Sequence, residues 1–170
     1  DERRLHQALQ GVDYVVHAAA LKQVPTAESH PTEFVKTNIL GAQHIIAAAI
    51  ANRVKKVIDL SSDKAANPTS FYGATKLVSD KLFVAANESI EGQVTQFSVV
   101  RYGNIAASRG SVVPLFRRLL AEGCTRLPIT HPEMTRFWLT PAEGVEAMLA
   151  AFFHMKGGEM FIPKVSSCRI

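Results

Sequence analysis

Three short apolar runs, Tyr14-Val15-Val16-His17, Val57-Ile58-Asp59-Leu60 and Phe97 to Tyr102, alternate with stretches of helical period. This rhythm constrains the fold more than any other feature of the chain. Runs of that length without polar alternation suit strands buried on both faces. From Pro31 to about Asn52, Val35, Ile39, Ala42, Ile46 and Ala49 step by four and three, the period of an amphipathic helix, and Pro31 fits its first turn. A second helix is predicted from about Ser70 to Asn87. Strands separated by helices need crossovers, so the predicted fold is α/β with a parallel sheet.

The flanking regions read less regularly. Leu5, Ala8 and Leu9 make a helical stripe before Gly11-Val12-Asp13 turns into the first strand. In the last third, Val112 to Ala121 is predicted helical, and Leu127-Pro128-Ile129 and Arg136-Phe137-Trp138 are short extended pieces. Thr140 supplies an N-cap and Pro141 a first turn for a helix reaching about His154. Glu159 to Ile162 reads as a final short strand.

Composition narrows the function classes. With 170 residues, 47% apolar and 20% charged, the chain can bury one sizeable core. The formal charge is +4, yet no basic run exceeds two residues, so Arg3-Arg4, Lys55-Lys56 and Arg117-Arg118 read as solvated faces and no nucleic-acid partner is expected. Cys124 and Cys168 lie far apart, and His17, His30, His44, His131 and His154 show no ligand spacing. Neither a disulfide frame nor a metal site is expected, and a reducing cytoplasm fits. The apolar run Ile45 to Ala51 is too short to span a bilayer, so no membrane partner is expected. Asp1 is not a start methionine, and the chain reads as a piece of a longer protein.

The chemistry-bearing residues gather after the second strand. Ser61-Ser62-Asp63-Lys64 places polar groups where a parallel strand opens its ligand-facing edge. Tyr72-Gly73-Ala74-Thr75-Lys76 then opens the second helix. Positions i and i+4 share a helix face, so Tyr72 and Lys76 can bring a phenol and an ammonium into one pocket, the cation lowering the phenol pKa. Such a pair can move a proton on and off a hydroxyl as hydride leaves the same carbon.

These residues occur within a longer set of segments. They are His17-Ala18-Ala19-Ala20-Leu21-Lys22, Lys36-Thr37-Asn38-Ile39-Leu40-Gly41, Ser61-Ser62-Asp63-Lys64-Ala65-Ala66-Asn67-Pro68 and Tyr72-Gly73-Ala74-Thr75-Lys76. Val100-Arg101-Tyr102-Gly103-Asn104, Ser108-Arg109-Gly110-Ser111-Val112-Val113-Pro114 and Met134-Thr135-Arg136-Phe137-Trp138 complete it. Together they resemble the extended short-chain dehydrogenase/reductase superfamily, and within it the inverting UDP-N-acetylglucosamine 4,6-dehydratases that begin pseudaminic acid synthesis. The resemblance implies a Rossmann-like parallel sheet lacking its first βα units, with part of a small substrate-binding region. Residues 1–105 would be a partial NAD(P)-binding Rossmann domain, and 106–170 a partial substrate-binding region interleaved with the last Rossmann elements. The glycine-rich turn that cradles the pyrophosphate in relatives has no counterpart here.

The implied reaction is an internal redox elimination on a UDP-sugar: oxidation at C4, loss of water across C5 and C6, and reduction at C6. NADP is the implied cofactor, with NAD the alternative. Tyr72 is assigned to the C4 hydroxyl, with Lys76 lowering its pKa and holding the nicotinamide ribose. Lys64 is assigned as base at C5 and Asp63 as acid at the C6 hydroxyl, the two roles being exchangeable; as neighbours after a strand they should point in different directions and serve different atoms. Ser62 would bond to the sugar. Lys22 would reach cofactor and substrate, while Ala18, Leu60, Ser61 and Ile105 match cofactor-contacting positions. Asn104, Arg109, Gly110, Ser111, Val112, Val113 and Arg136 match the substrate loop and its diphosphate contacts. Relatives assemble through helices like Pro31 to Asn52 and Ser70 to Asn87, so a homo-oligomer is expected. A retaining UDP-sugar dehydratase, a nucleotide-sugar epimerase and, for the isolated piece, a non-catalytic nucleotide-binding module are the alternatives.

Overall fold

The computed structural model describes residues 1–88, 92, 94–108 and 110–169. Its main sheet has four parallel strands in the order β1-β2-β3-β6: β1 (Tyr14–His17), β2 (Lys56–Ser62), β3 (Gln96–Tyr102) and β6 (Met160–Phe161). The apolar runs are therefore strands, and the helices between them are the crossovers. α1 (Glu2–Ala8) precedes β1, and α5 (Phe71–Ala85) connects β2 to β3.

One continuous helical stretch, Pro31–Ala51, connects β1 to β2 after the short α2 (Val24–Ser29). It comprises α3 (Pro31–Phe34), a π-helical segment Val35–Leu40 and α4 (Gly41–Ala51). By length and composition this stretch is apolar enough to cross a membrane, which the Ile45 to Ala51 run alone did not suggest. In the fold, Ala42, Ile45, Ala48 and Ala49 pack with Val57, Phe83 and Phe97 in the main core. The opposite face of the sheet buries Ile58 and Val100 against Ala151 and Met155.

A second sheet joins β4 (Asn104–Ile105), β5 (Thr135–Leu139) and β7 (Ser167–Arg169), with β5 parallel to β4 and antiparallel to β7. α6 (Val112–Ala121) and α7 (Pro141–His154) lie where the sequence predicts helices, and Thr140 with Glu143 forms a reciprocal capping box. Leu127-Pro128-Ile129 forms no strand, and its Pro128 lacks the N–H that pairing would use. Glu159 lies outside β6 because its carboxylate closes the preceding turn, accepting from Lys156 N, Gly157 N and the Ser98 hydroxyl.

Candidate active site

β2 ends at Ser62, and Asp63–Ala65 winds into one 3-10 turn. The Ser62 hydroxyl oxygen caps that turn, accepting from Lys64 N at 3.3 Å. α5 starts a few residues later, fixed by two side chains: Ser70 Oγ accepts from Gly73 N at 3.2 Å, and Glu28 Oε1 of α2 accepts from Phe71 N at 2.8 Å. Gly73 lets the helix close onto the turn, because a Cβ there would overlap the Lys64 carbonyl oxygen and lie 3.0 Å from Pro68 Cβ. Turn and helix thus hold Lys64 and Tyr72 at the border of one opening.

That opening is a cavity of about 390 Å³ at the C-terminal edge of the parallel strands, the position where open α/β sheets take ligands. Lys22, Ser61, Ser62, Lys64 and Tyr72 line one part of it; Asn104, Ile105, Gly110 and Ser111 line the other. A second cavity of about 290 Å³ shares Asn104, Gly110 and Ser111 and adds Val112 and Arg136. Ala18 is exposed beyond β1, Leu60 is half-buried within β2 and Val113 half-buried in the first turn of α6; none of the three borders either cavity. Arg109 lies outside the described residues.

Asp63 and Lys64 do not diverge as consecutive residues after a strand would. The 3-10 turn curls them together, so that Asp63 Oδ1 accepts from Lys64 Nζ at 3.0 Å and from Ser62 Oγ at 3.0 Å. Lys64 Nζ also donates to Asn104 Oδ1 at 3.2 Å, giving Asn104 a partner within the site itself. The result is a compact Ser-Asp-Lys-Asn chain, of which Ser62, Lys64 and Asn104 border the cavity and Asp63 does not. Lys22 Nζ reaches Ser108 Oγ at 3.3 Å across the mouth. Arg136 Nη1 donates to the Thr135 carbonyl at 2.7 Å.

Lys76 departs from expectation. It is 3% exposed and outside the cavity wall, with Nζ 3.2 Å from Asp59 Oδ2 and 3.5 Å from Oδ1. β2 presents an acid to the ammonium, which turns toward the sheet. The Tyr72 pKa is raised, not lowered: burial is the largest cause, and the charges of Asp63, Asp59 and Asp80 push the same way while Ser62 opposes them.

Sequence reasoning missed several supporting residues. Asn38, 2% exposed, grips the loop after β1 through Leu21 N to Oδ1 and Nδ2 to Leu21 O, both 2.9 Å, and also donates to Thr75 Oγ1 at 3.0 Å. Thr75 Oγ1 in turn donates to the Tyr72 carbonyl at 2.8 Å. Asn38 belongs to the π-helical segment, a feature frequent at functional sites. Behind Tyr72, Arg101 Nε pairs with buried Asp80 at 2.7 Å, and burial raises the Asp80 pKa. Ser61 Oγ and Asp80 Oδ1 are buried without a hydrogen bond of standard geometry, although the Ser61 hydroxyl lies near enough to draw the Asp80 pKa down against burial. A polar residue inside an apolar strand, such as Asp59, was the available signal.

A family described as "Polysaccharide biosynthesis protein" matches residues 1–170. The chain is 56% identical over 170 residues to a Campylobacter jejuni protein named UDP-N-acetylglucosamine 4,6-dehydratase (inverting), covering 100% of this chain and 51% of that protein. It is 46% identical over 162 residues to a Rickettsia akari protein named UDP-glucose 4-epimerase, covering 95% and 47% respectively. The chain therefore spans about half the length of these curated relatives. Among solved structures, Pen from Bacillus thuringiensis superposes with a TM-score of 0.95 at 41% identity, covering 99% of this chain and 53% of that one. DesIV, a dTDP-glucose 4,6-dehydratase from Streptomyces venezuelae with NAD and TYD bound, shares the fold with a TM-score of 0.88 at 22% identity, covering 99% and 57%.

Proposed function

The chain belongs to the polysaccharide biosynthesis protein family, and from that membership we propose that the whole protein is an inverting nucleotide-sugar 4,6-dehydratase acting on UDP-N-acetylglucosamine. The observation that carries this reading is that Tyr72 and Lys64 border one cavity, with Lys64 bound to Asp63 just behind the wall. A reaction that alters C4, C5 and C6 of one ring needs groups at separate positions, and in this reading Tyr72 serves C4 while Lys64 and Asp63 serve C5 and C6. The Campylobacter jejuni relative, named for that activity, supports the substrate.

The cofactor in this reading is a nicotinamide dinucleotide, NADP in particular; DesIV holds NAD in the same fold. The residues fit its nicotinamide end. Ser61, at the end of β2, borders the cavity together with Lys22, Tyr72 and Ile105, the positions this reading gives to the nicotinamide. Bound there, the dinucleotide would supply the hydride acceptor for oxidation at C4 and the donor for reduction at C6. Tyr72 holds the proton exchanged with the C4 oxygen. Lys64 passes its proton along the hydrogen bond to Asp63, which delivers it to the departing C6 oxygen, and the neutral amine, held by Asn104, takes the C5 proton, so that ammonium and carboxylate are restored. Ser62, bonded to Asp63, orients that acid.

The second cavity suits the UDP diphosphate. Among the described residues Ser111 Oγ is buried without a hydrogen-bond partner, Arg136 borders the same space, and Gly110 and Val112 precede and open α6. Homo-oligomer formation through the outer faces of α4 and α5 belongs to the same proposal.

A UDP-sugar 4-epimerase is the second reading, favoured by the Rickettsia akari relative. An epimerase uses the Tyr72 side but has no need of the Asp63-Lys64 unit. Product analysis of the full-length enzyme separates the two. Loss of water with inverted C5 supports the dehydratase, and an isomer of unchanged mass supports the epimerase.

A further inference from the structure

Beneath the cavity, the contact between the sheet and α5 carries charge where such layers ordinarily bury apolar residues. Asp59 of β2 and Asp80 of α5 are both 0% exposed and Lys76 only 3%. They form two ion pairs, Lys76 with Asp59 at 3.2 Å and Arg101 with Asp80 at 2.7 Å. Only the first involves the helical turns that carry Tyr72. Among the described residues, Asp59 is the acid within salt-bridge reach of the Lys76 ammonium, and Ser79 Oγ donates to the same Oδ2 at 3.5 Å. An ammonium taken out of water without a counter-ion is strongly disfavoured, so the carboxylate decides where that cation rests.

We propose that Asp59 is a positioning residue for the acid-base site: its buried carboxylate anchors Lys76 to β2 and so sets how strongly the cation acts on the Tyr72 phenol. This inference rests on the reading of Tyr72 and Lys76 as the acid-base pair. Asp59 acts through Lys76 and borders neither cavity. The charged and titratable groups sharing its surroundings are His17 from β1, Arg101 and Tyr102 from β3, and Tyr72, Lys76 and Asp80 from α5. Burial raises the Asp59 pKa, and Lys76 followed by Ser79 draws it back. The Asp59 charge is in turn among the causes holding the phenols of Tyr72 and Tyr102 high. The Asp59 field thus reaches Tyr72 directly, and the anchoring of the ammonium at the sheet is the second action assigned to it.

Asp59→Asn in the full-length enzyme tests this with a near-isosteric change. Tyr72 must be deprotonated to accept the C4 proton, so turnover falls as pH drops through the phenol pKa. Removing the Asp59 charge and releasing Lys76 both favour the phenolate, so the acidic limb of the kcat profile should move to lower pH by about one unit. The melting temperature should fall by about 5 °C or more, and Asp59→Asn/Lys76→Met, which removes both charges, should recover most of that loss. A pH profile coincident with wild type, or a double variant no more stable than Asp59→Asn, overturns the proposal. If Asp59→Asn gives no folded protein, the double variant decides: recovery of a folded chain supports the anchor, and its failure to fold refutes it. Tyr72→Phe is the control. Full turnover by that variant sinks the acid-base reading itself, whereas an inactive Tyr72→Phe with an unmoved Asp59→Asn profile sinks only the role of Asp59.

Discussion

Gly73→Ala should separate the two halves of the site without unfolding the protein. The added Cβ would overlap the Lys64 carbonyl oxygen, approach Lys64 C to 3.2 Å and meet Pro68 Cβ at 3.0 Å. Two of these three atoms are backbone of the 3-10 turn, which Ala66 N to Asp63 O closes at 3.0 Å, so no flexible side chain can absorb the overlap. Restoring ordinary contact requires α5 to move about 1 Å from the turn. Overpacking of this kind costs about 1–3 kcal/mol, and the helix preference of Ala over Gly returns about 1 kcal/mol, so net destabilisation stays within about 2 kcal/mol. The same displacement widens the Tyr72 to Lys64 separation, and misplacement by about 1 Å lowers turnover roughly 100-fold. The assay is kcat for sugar dehydration by full-length enzyme beside its melting temperature. A variant with kcat within about threefold of wild type would show that close contact of helix and turn is not what aligns the site.

Two further outcomes follow from the charges. Burial, with Lys76 adding to it, lowers the His17 pKa from 6.5 to about 4, so the unfolded chain takes up this proton first. The stability contributed by neutral His17 is complete above pH 6.5 and is lost as pH falls toward 4, a change of up to about 3 kcal/mol. Across that window wild type should lose melting temperature relative to His17→Gln, and parallel curves would contradict the assignment. Lys64→Ala should lower dehydration by about 100-fold or more while leaving oxidation at C4, the Tyr72 step, intact, checked by following substrate oxidation in a single turnover. Dehydration at the wild-type rate would remove Lys64 from C5.

Much of the architecture was legible because it is written locally. The runs at Tyr14, Val57 and Phe97 became β1, β2 and β3, Val112–Ala121 became α6 with those bounds, and Thr140-Pro141 capped α7. Tyr72, Lys64, Ser62 and Asn104 border one cavity, whereas Lys76, paired with Tyr72 by helical spacing, does not. What was not legible depends on contacts distant in sequence. The Lys76 ammonium could be placed only once β2 was known to set Asp59 against α5. The π-helical segment is invisible to a count of apolar spacing, since it accompanies the Asn38 side chain reaching Leu21 across the fold. The convergence of Asp63 with Lys64 lies between these cases. Ser62 caps the turn that brings them together, and a serine before Asp-Lys was a readable sign of a turn rather than an extended exit from the strand.

The most direct test of two acid-base units acting on one hexose ring follows a deuterium label placed at C4 of UDP-N-acetylglucosamine through one turnover of the full-length enzyme. The site described here predicts a 4-keto-6-deoxy product carrying the label at C6, with C5 inverted. Label returned to C4 of an unchanged-mass isomer would contradict it, leaving Tyr72 at work and Asp63-Lys64 without a part in the chemistry.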